Sequence, residues 1–469
     1  LRARSLNRLG NWLANTGHAE EGLCAHQEAL HLFEDLQDTQ GLAETFDLLG
    51  TASGLVGDPV NAVQQFGQAI ALFRTLGDRQ SLMSSLVMRA SLSLPLASIT
   101  SFCALRTRDE CVQDAAESLH LARQIDSPSG QALAENILAR TLLSFGEFGP
   151  AFTHAWEALR IATAIEHHQW LVASSSLSGY IYFLLLAPAQ ARAAWETGLS
   201  LARELGSTYW ITALAAQLAL ACLLQHDVSA AEAALQAVMP REQLPRNDAE
   251  RHVAWAWGEL ALAQGAPEMA LQVAEHLLAS APGTGAGQLV QPIPHLLKLK
   301  GEALMALARL EEAMEALEGA KRGALLRHDR PVLWPIHRSL GQLYHLLQRE
   351  EEERIELAAA RHLIEELGAT LDDVPLREQF VRTALNSLPQ AKPLPPREAT
   401  KRAFGGLTAR ECQVAALIAQ GKTSREIAER LVVSERTAEV HVSNILGKLG
   451  FSSRAHIAAW AVEKGLSRE

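Results

Sequence analysis

From Leu1 to about Leu388 the apolar positions recur at helical spacing, Ala, Leu, Glu and Gln dominate, and alternating strand-like runs are sparse. The pattern predicts helices, and a repeat predicts that they come in pairs. Leu9-Gly10 is followed by Leu13, Gly17, Gly22, His26 and Ala29; Leu49-Gly50 is followed by Ser53, Gly57, Ala62, Phe66 and Ala69, the same order forty residues on. Small residues at Gly10, Gly50, Gly22 and Ala62 let two helices approach closely, and Gly17 and Gly57 fall where a tight turn is needed. Turns at Gly146-Glu147, Ala187-Pro188, His226-Asp227, Gly265-Ala266, Ala308-Arg309 and Gln348-Arg349 keep a beat of about forty. The beat fails between Leu94 and Asp114, where one irregular repeat is expected.

The pattern changes twice near the C-terminus. Pro389, Pro393, Pro395 and Pro396 forbid a continuous helix and predict an exposed, semi-stiff tether over residues 389–406. From Leu407 the cap signals become regular: Thr408 precedes Glu411 and Thr423 precedes Glu426 at capping-box spacing, Ser434 can cap a third helix, and Ser452 or Ser453 a fourth. Four short helices are predicted, at about 408–420, 424–431, 435–449 and 453–464. Their expected core is Val414, Leu417 and Ile418; Ile427, Ala428 and Leu431; Val440, Ile445 and Leu449; and Ile457, Ala458 and Ala461. Val432-Val433-Ser434 makes a tight connection between the second and third helices. A short helix, a tight turn and a longer helix form the unit that sets its second helix in a DNA major groove.

Two resemblances attach to these residues. The Leu-Gly, small, aromatic, Ala order resembles tetratricopeptide repeats, with a period longer than that family's usual one. It implies stacked hairpins forming a curved solenoid, about nine pairs over residues 1–388, whose inner groove receives a partner. The runs Leu407–Gly421, Thr423–Leu431 and Ser434–Leu449, with Arg454 after the last turn, resemble the LuxR-type helix-turn-helix domain over residues 407–469. The expected fold class is therefore all-α, a tetratricopeptide-like solenoid plus a four-helix LuxR-type domain.

The second resemblance implies a DNA-contacting set of Lys422, Thr423, Ser424, Arg425, Ser434, Glu435, Arg436, Thr437, Glu439, His441, Asn444 and Lys448. Glu435, Arg436 and Glu439 are expected at base edges, Arg436 on a guanine or a phosphate. Thr437, His441, Lys448 and the helix N-termini with Lys422, Thr423 and Arg425 are expected on the backbone. Three positions depart from the family's habit: Ser424 stands for Asn, Ala438 for Val, and Glu439 for a residue that is commonly basic. A carboxylate there can accept from cytosine but repels phosphate.

Charge supports this division. Residues 401–469 hold eleven Lys/Arg and seven Asp/Glu, a net of +4, whereas the whole chain carries −11. An acidic bulk with a basic terminus directs an anionic partner to the tail. The runs Glu311-Glu312 and Glu350–Glu353 read as solvated faces. Five cysteines lie in no metal or disulfide pattern, which suits a reducing cytoplasm. The apolar run near Ile181–Ala187 is too short to span a bilayer, so no membrane is expected.

Enzyme chemistry finds no constellation. Gly283–Gly287 lacks the lysine of a phosphate loop, and Gly421-Lys422-Thr423 lacks its opening glycine. His18, His26, His120, His167, His168 and His226 have no metal-ligand spacing. Trp12, Trp156, Trp170, Trp195, Trp210, Trp255 and Trp257 either pack between helices or anchor a partner in the groove; of Trp255 and Trp257, two apart, one is expected to be more exposed.

The combination is similar to the large regulators related to the maltose activator, in which an ATP-binding domain precedes the repeats. This implies a transcriptional regulator, in all expectation an activator working with RNA polymerase, and an unknown inducer or protein in the groove. It implies no cofactor in this chain, ATP only on an upstream part, and a homodimer on DNA through Ala458, Ala459 and Val462. The chain opens at Leu1, not Met, within a helical pattern already under way, which predicts such an upstream part. The alternative is a protein-interaction scaffold whose terminal domain has weak or lost DNA binding.

Overall fold

A computed structural model describes residues 1–16, 18–282, 291–389, 404–464 and 466. All regular elements among them are helical, and the chain divides into two units, Leu1–Pro389 and Gln390–Glu469. Gly17, Gly283–Gly287, Gly465 and most of the expected tether lie outside the described residues.

The first unit is a series of antiparallel pairs. α1 (Arg2–Asn15) packs on α2 (Ala19–Asp35), α3 (Thr39–Leu55) on α4 (Pro59–Leu76), α5 (Arg79–Leu92) on α6 (Arg108–Gln124), and α7 (Pro128–Ser144) on α8 (Phe148–Ala164). α9 (His168–Leu184) packs on α10 (Pro188–Leu205), α11 (Thr208–Leu224) on α12 (Val228–Gln236), and α13 (Asp248–Ala263) on α14 (Pro267–Ala279). α15 (Pro294–Ala306) with α16 (Leu310–Leu326) and α17 (Arg330–Leu346) with α18 (Glu350–Ala369) complete nine pairs among the described residues, and α19 (Val374–Asn386) packs on α18.

The forty-residue beat has a local cause. Nine helices of seventeen or eighteen residues are followed by a left-handed residue, in two runs spaced by twenty: Gln37, Gly57 and Gly77, then Asp126, Gly146, Glu166, Leu186, Gly206 and His226. The residue after each of these turns the chain by donating its N–H five positions back, as Asp38 does to the Phe33 carbonyl and Ser127 to that of Ala122. In several cases it then caps the next helix with its own side chain: Asp38, Asp58, Asp78, Ser127, Ser207 and Asp227. One helix plus one such turn makes twenty residues, and one pair makes forty.

Within a pair the close approach is made by a small residue on the first helix under a large one on the second. A Cβ on Gly10 would lie 2.8 Å from the His26 ring and one on Gly179 would lie 2.1 Å from the Trp195 ring nitrogen, so neither position admits a side chain without moving its neighbour. Both partners stand sixteen residues on, as Phe66 does from Gly50. His26 Nδ1 donates to Asn7 Oδ1 at 3.0 Å. Burial lowers its imidazole to about 4, so it is a neutral core residue. No group of three or more potential metal ligands occurs among the described residues.

Two features bring residues distant in sequence together. First, the unit winds back on itself. The Phe148 and Gly149 N–H groups donate to Thr370 Oγ1 at 3.0 Å and to its carbonyl at 3.1 Å. One core runs from Leu142, Leu143 and Phe148 to Ile364, Leu367 and Phe380, with the Phe148 and Phe380 rings edge to face at 5.9 Å. Second, the irregular stretch expected as a repeat is not one. After a single 3-10 turn at Pro95–Ala97 the chain has no helix until Arg108, yet Ser98, Ile99, Thr100, Ser101, Phe102 and Cys103 are buried. Buried carbonyls outside a helix need donors. Arg327 supplies them to Ser98 at 2.8 Å and Ser101 at 3.1 Å, and Arg251 to Thr100 at 2.6 Å. The stretch is a strap held inside the unit by two buried guanidinium groups.

The tryptophans divide accordingly. Trp195 and Trp257 are core, Trp170 and Trp210 are half-buried, and Trp12 and Trp156 are exposed. The expected difference between Trp255 and Trp257 is absent, since both are buried. α13 packs against α11, α12, α14 and α15, so it has covered faces on both sides. Glu311, Glu312 and Glu350 are exposed in first helical turns, where a carboxylate complements the helix dipole.

Candidate nucleic-acid interface

The second unit consists of α20 (Ala409–Ala419), α21 (Ser424–Leu431), α22 (Glu435–Leu449) and α23 (Arg454–Glu463), each within about a residue of its sequence expectation. Thr408 with Glu411 and Thr423 with Glu426 form complete capping boxes, and Ser434 Oγ accepts the Thr437 N–H at 3.1 Å. Ser453 holds the cap position of α23 but its side chain makes no cap bond. Leu407, Val414, Ala415, Ile427, Ala438, Ile445, Ile457 and Ala461 are fully buried together. Val432 takes the left-handed conformation at φ 53°, which stops α21 and lets Ser434 start α22 two residues later.

One core assignment is overturned: Val440 is 51% exposed. The inward stripe of α22 is Ala438, Val442, Ile445 and Leu449, spaced four, three and four, and Val440 lies two residues off it on another face. Ala438, read as a departure from the family's habit, is the buried member where the sequence suggested Val440. Burying the smaller side chain there keeps α22 close to α20, and it leaves an apolar group on the outer face.

That outer face gathers Glu435, Arg436, Glu439, Val440, Ser443 and Asn444, all exposed. Neither Arg436 nor Glu439 has an ion pair or side-chain hydrogen bond among the described residues. Lys422 and Arg425 are held only loosely, each 3.4 Å from the carboxylate one turn on, Glu426 and Glu429, and such solvated pairs contribute little. Thr423 and Ser434 are exposed caps and Thr437 lies exposed in the first turn of α22; their hydroxyls are engaged locally, Ser434 and Thr437 with each other at 2.7 Å. His441 is half-buried and its Nδ1 has no partner.

Lys448 sits elsewhere in this scheme than the sequence placed it. Its ammonium lies 2.7 Å and 2.8 Å from the two oxygens of Glu411, whose side chain is buried. Burial alone would push the Glu411 carboxyl up; the Lys448 ammonium and the Thr408 donors hold it below its ordinary value. Two more cations brace the domain. Arg454 donates to the Lys422 carbonyl at 2.6 Å and to Ser424 Oγ at 3.3 Å, and Arg410 donates to the Leu431 carbonyl at the end of α21. Sequence reasoning missed these braces because each spans twenty or more residues. It also missed Arg430, an exposed cation in the last turn of α21.

A short capped helix, a left-handed turn and a longer helix with a solvent-facing polar stripe define a helix-turn-helix DNA-binding domain. Residues 406–461 match the family described as "Bacterial regulatory proteins, luxR family", so the C-terminal unit carries a LuxR-type domain. Over 99% of its length the chain is 25% identical to a Mycobacterium bovis protein described as a "Putative HTH-type transcriptional regulator", and covers 54% of that protein. The chain thus spans about half the length of the curated relatives it matches from end to end. Over 20% of its length the chain is 35% identical to the nitrate/nitrite response regulator protein NarL of Escherichia coli, 44% of which is covered. The relatives are regulators, not members of an enzyme class. Among solved structures, a Rap protein complexed with competence and sporulation factor aligns over 82% of this chain and 96% of its own, at 13% identity and a TM-score of 0.37. At that score the likeness carries no argument here. No described helix is long and apolar enough to cross a membrane.

Proposed function

We propose that this chain is the input and DNA-reading portion of a bacterial transcriptional regulator. Its LuxR-type domain binds a double-stranded promoter site, and its repeat unit receives an inducer or protein partner. The observation that carries this reading is the free, solvent-facing stripe of α22 with Arg436 uncommitted, on a domain whose family is one of DNA-binding regulators. Arg436 reads a guanine edge or holds a phosphate, Glu439 accepts from a cytosine, and Val440 is suited to a thymine methyl. Lys422, Thr423, Ser424, Arg425, Ser434, Glu435, Thr437, His441 and Asn444 complete the contact surface, and Lys448 acts through Glu411. Activation through RNA polymerase in the cytoplasm is the mode we favour. Ala459 and Val462, both exposed on α23, are suited to pairing two copies on a two-fold site.

Selection of genomic fragments by the full chain, followed by gel shifts at two salt concentrations, tests the reading. A common site should emerge, and Arg436→Ala should weaken it about ten-fold or more while relaxing one base position. Equal affinity of wild type and variant would remove Arg436 from the reading surface. The exposed carboxylate of Glu439 favours one second reading, a scaffold whose terminal domain no longer binds DNA. It predicts no enrichment of any site, with binding restored by Glu439→Lys.

A further inference from the structure

The first helices of successive pairs, α7 to α17, enclose a cavity of about 530 Å³ inside the repeat unit. Volumes of this size accept drug-sized molecules. Most of the wall is apolar: Tyr180 and Phe183 from α9, Leu223 from α11, Trp255 from α13 and Trp334 from α17, with Ile99 of the strap. On one side stands a group of ionisable residues, Glu259, His295, Lys298, Glu302 and Arg338.

Their pairing is uneven. Lys298 and Glu302 neutralise each other at 2.7 Å, and Glu302 also accepts from Ser339 at 2.6 Å. Burial, with Lys298 beside it, lowers His295 to about 3, so it is neutral. Burial pushes the Glu259 carboxyl up, against the pull of Lys298 and Arg338. Arg338 remains. Its guanidinium lies over the Trp334 ring at 5.8 Å, it has no ion pair or hydrogen bond among the described residues, and its Nε is buried without a partner. The residue is half-buried, and a guanidinium whose buried Nε has no acceptor is suited to an anion in the cavity.

We propose that this cavity is the binding site for a small organic anion, a carboxylate held by Arg338 on an apolar body seated against Phe183, Leu223 and Trp255. The site gives a chemical class to the inducer and so rests on the reading that the repeat unit is the input. The apolar wall fixes the body by area, and the planar fork of Arg338 fixes the head. Lys298 is not the recognition group, because Glu302 already occupies it. A cationic ligand meets Arg338 as a like charge, and a neutral one leaves it unpaired.

Calorimetric titration of the full chain tests this with three probes of one ring body: naphthylacetate, its uncharged amide and naphthylmethylamine. Naphthylacetate should bind one per chain, about ten-fold or more tighter than the amide, as for a hydrogen bond to a charged group, and the amine should not bind. Arg338→Gln should remove the preference for the acid and leave the amide's affinity unchanged, which also shows that the variant is folded. Leu223→Trp, which fills the cavity, should abolish binding of both acid and amide. Equal affinity for the three probes, an unchanged acid affinity in Arg338→Gln, or no binding at all would overturn the site. Binding as expected with no effect on DNA affinity or transcription would instead overturn the input reading and leave the site standing.

Discussion

In the repeat unit Arg251 and Arg327 are buried and bond to carbonyls that lie more than a hundred residues away. In the C-terminal unit Arg436 and Glu439 face solvent, and the caps that shape the domain reach three residues. Desolvation lowers the Arg251 guanidinium to about 10, whereas no charged group on the outer face of α22 is buried at all. One unit uses buried charge to hold itself together around an interior; the other braces itself with Lys448, Arg454 and Arg410 and leaves Arg436 and Glu439 to solvent. The contrast means that a Lys or Arg cannot be assigned a role from its type, only from what its nitrogens already touch.

The largest effect that tests this contrast is expected at Arg327. Replacing it with Ala strips the Ser98 and Ser101 carbonyls of their donor and leaves Asp329 buried without a cation. A loss of about 3–5 kcal/mol in chemical denaturation is expected; a loss like that of a surface arginine would mean the strap is not held from within. Next comes Glu411→Ala, which removes both a capping box and the Lys448 pair. About 2 kcal/mol should disappear from the exchange protection of α20 and α22 amides, with the repeat unit's amides unchanged.

A smaller effect separates braces from contacts. In salt titrations of DNA binding, Lys422→Gln should lower the salt slope by about one, and Lys448→Gln should leave it in place. If Lys448→Gln also lowers the slope, its ammonium leaves Glu411 for a phosphate. The smallest effect concerns His26. Its folded value of about 4 lies below its ordinary 6.5, so the unfolded chain takes up the proton first as pH falls. Its contribution is complete above about pH 6.5 and is lost on the way down to pH 4; thermal midpoints of wild type should fall over that window more than those of His26→Gln.

What was legible in the sequence follows the reach of each interaction. The helices of the C-terminal domain were readable to within a residue because Thr408, Thr423 and Ser434 act on N–H groups three positions away. The pairing of Gly10 with His26 and of Gly50 with Phe66 was readable as a repeated order, and the spacing of sixteen extends it to Gly179 and Trp195. The strap was not readable. Ser98, Thr100 and Ser101 look like a loop, and only the winding of the unit brings Arg251 and Arg327 to them. The same holds for Lys448, whose partner stands thirty-seven residues earlier. Val440 is apolar yet exposed, because apolar character alone does not fix burial and the stripe through Ala438 and Ile445 excludes it.

The contact of Gly149 with Thr370 has a consequence for how the repeat unit comes apart and how it can change. An open array of hairpins frays from its ends, and it tolerates the gain or loss of one pair because each touches only its neighbours. Here α8 rests on the end of α18, and a Cβ at Gly149 would come within 2.1 Å of the Thr370 carbonyl. Removing or duplicating any pair between them moves one side of that seam off the other. Unfolding is then expected as one event for this span instead of a series, and residue identities inside the unit are free to drift while the number of pairs between Gly149 and Thr370 is not.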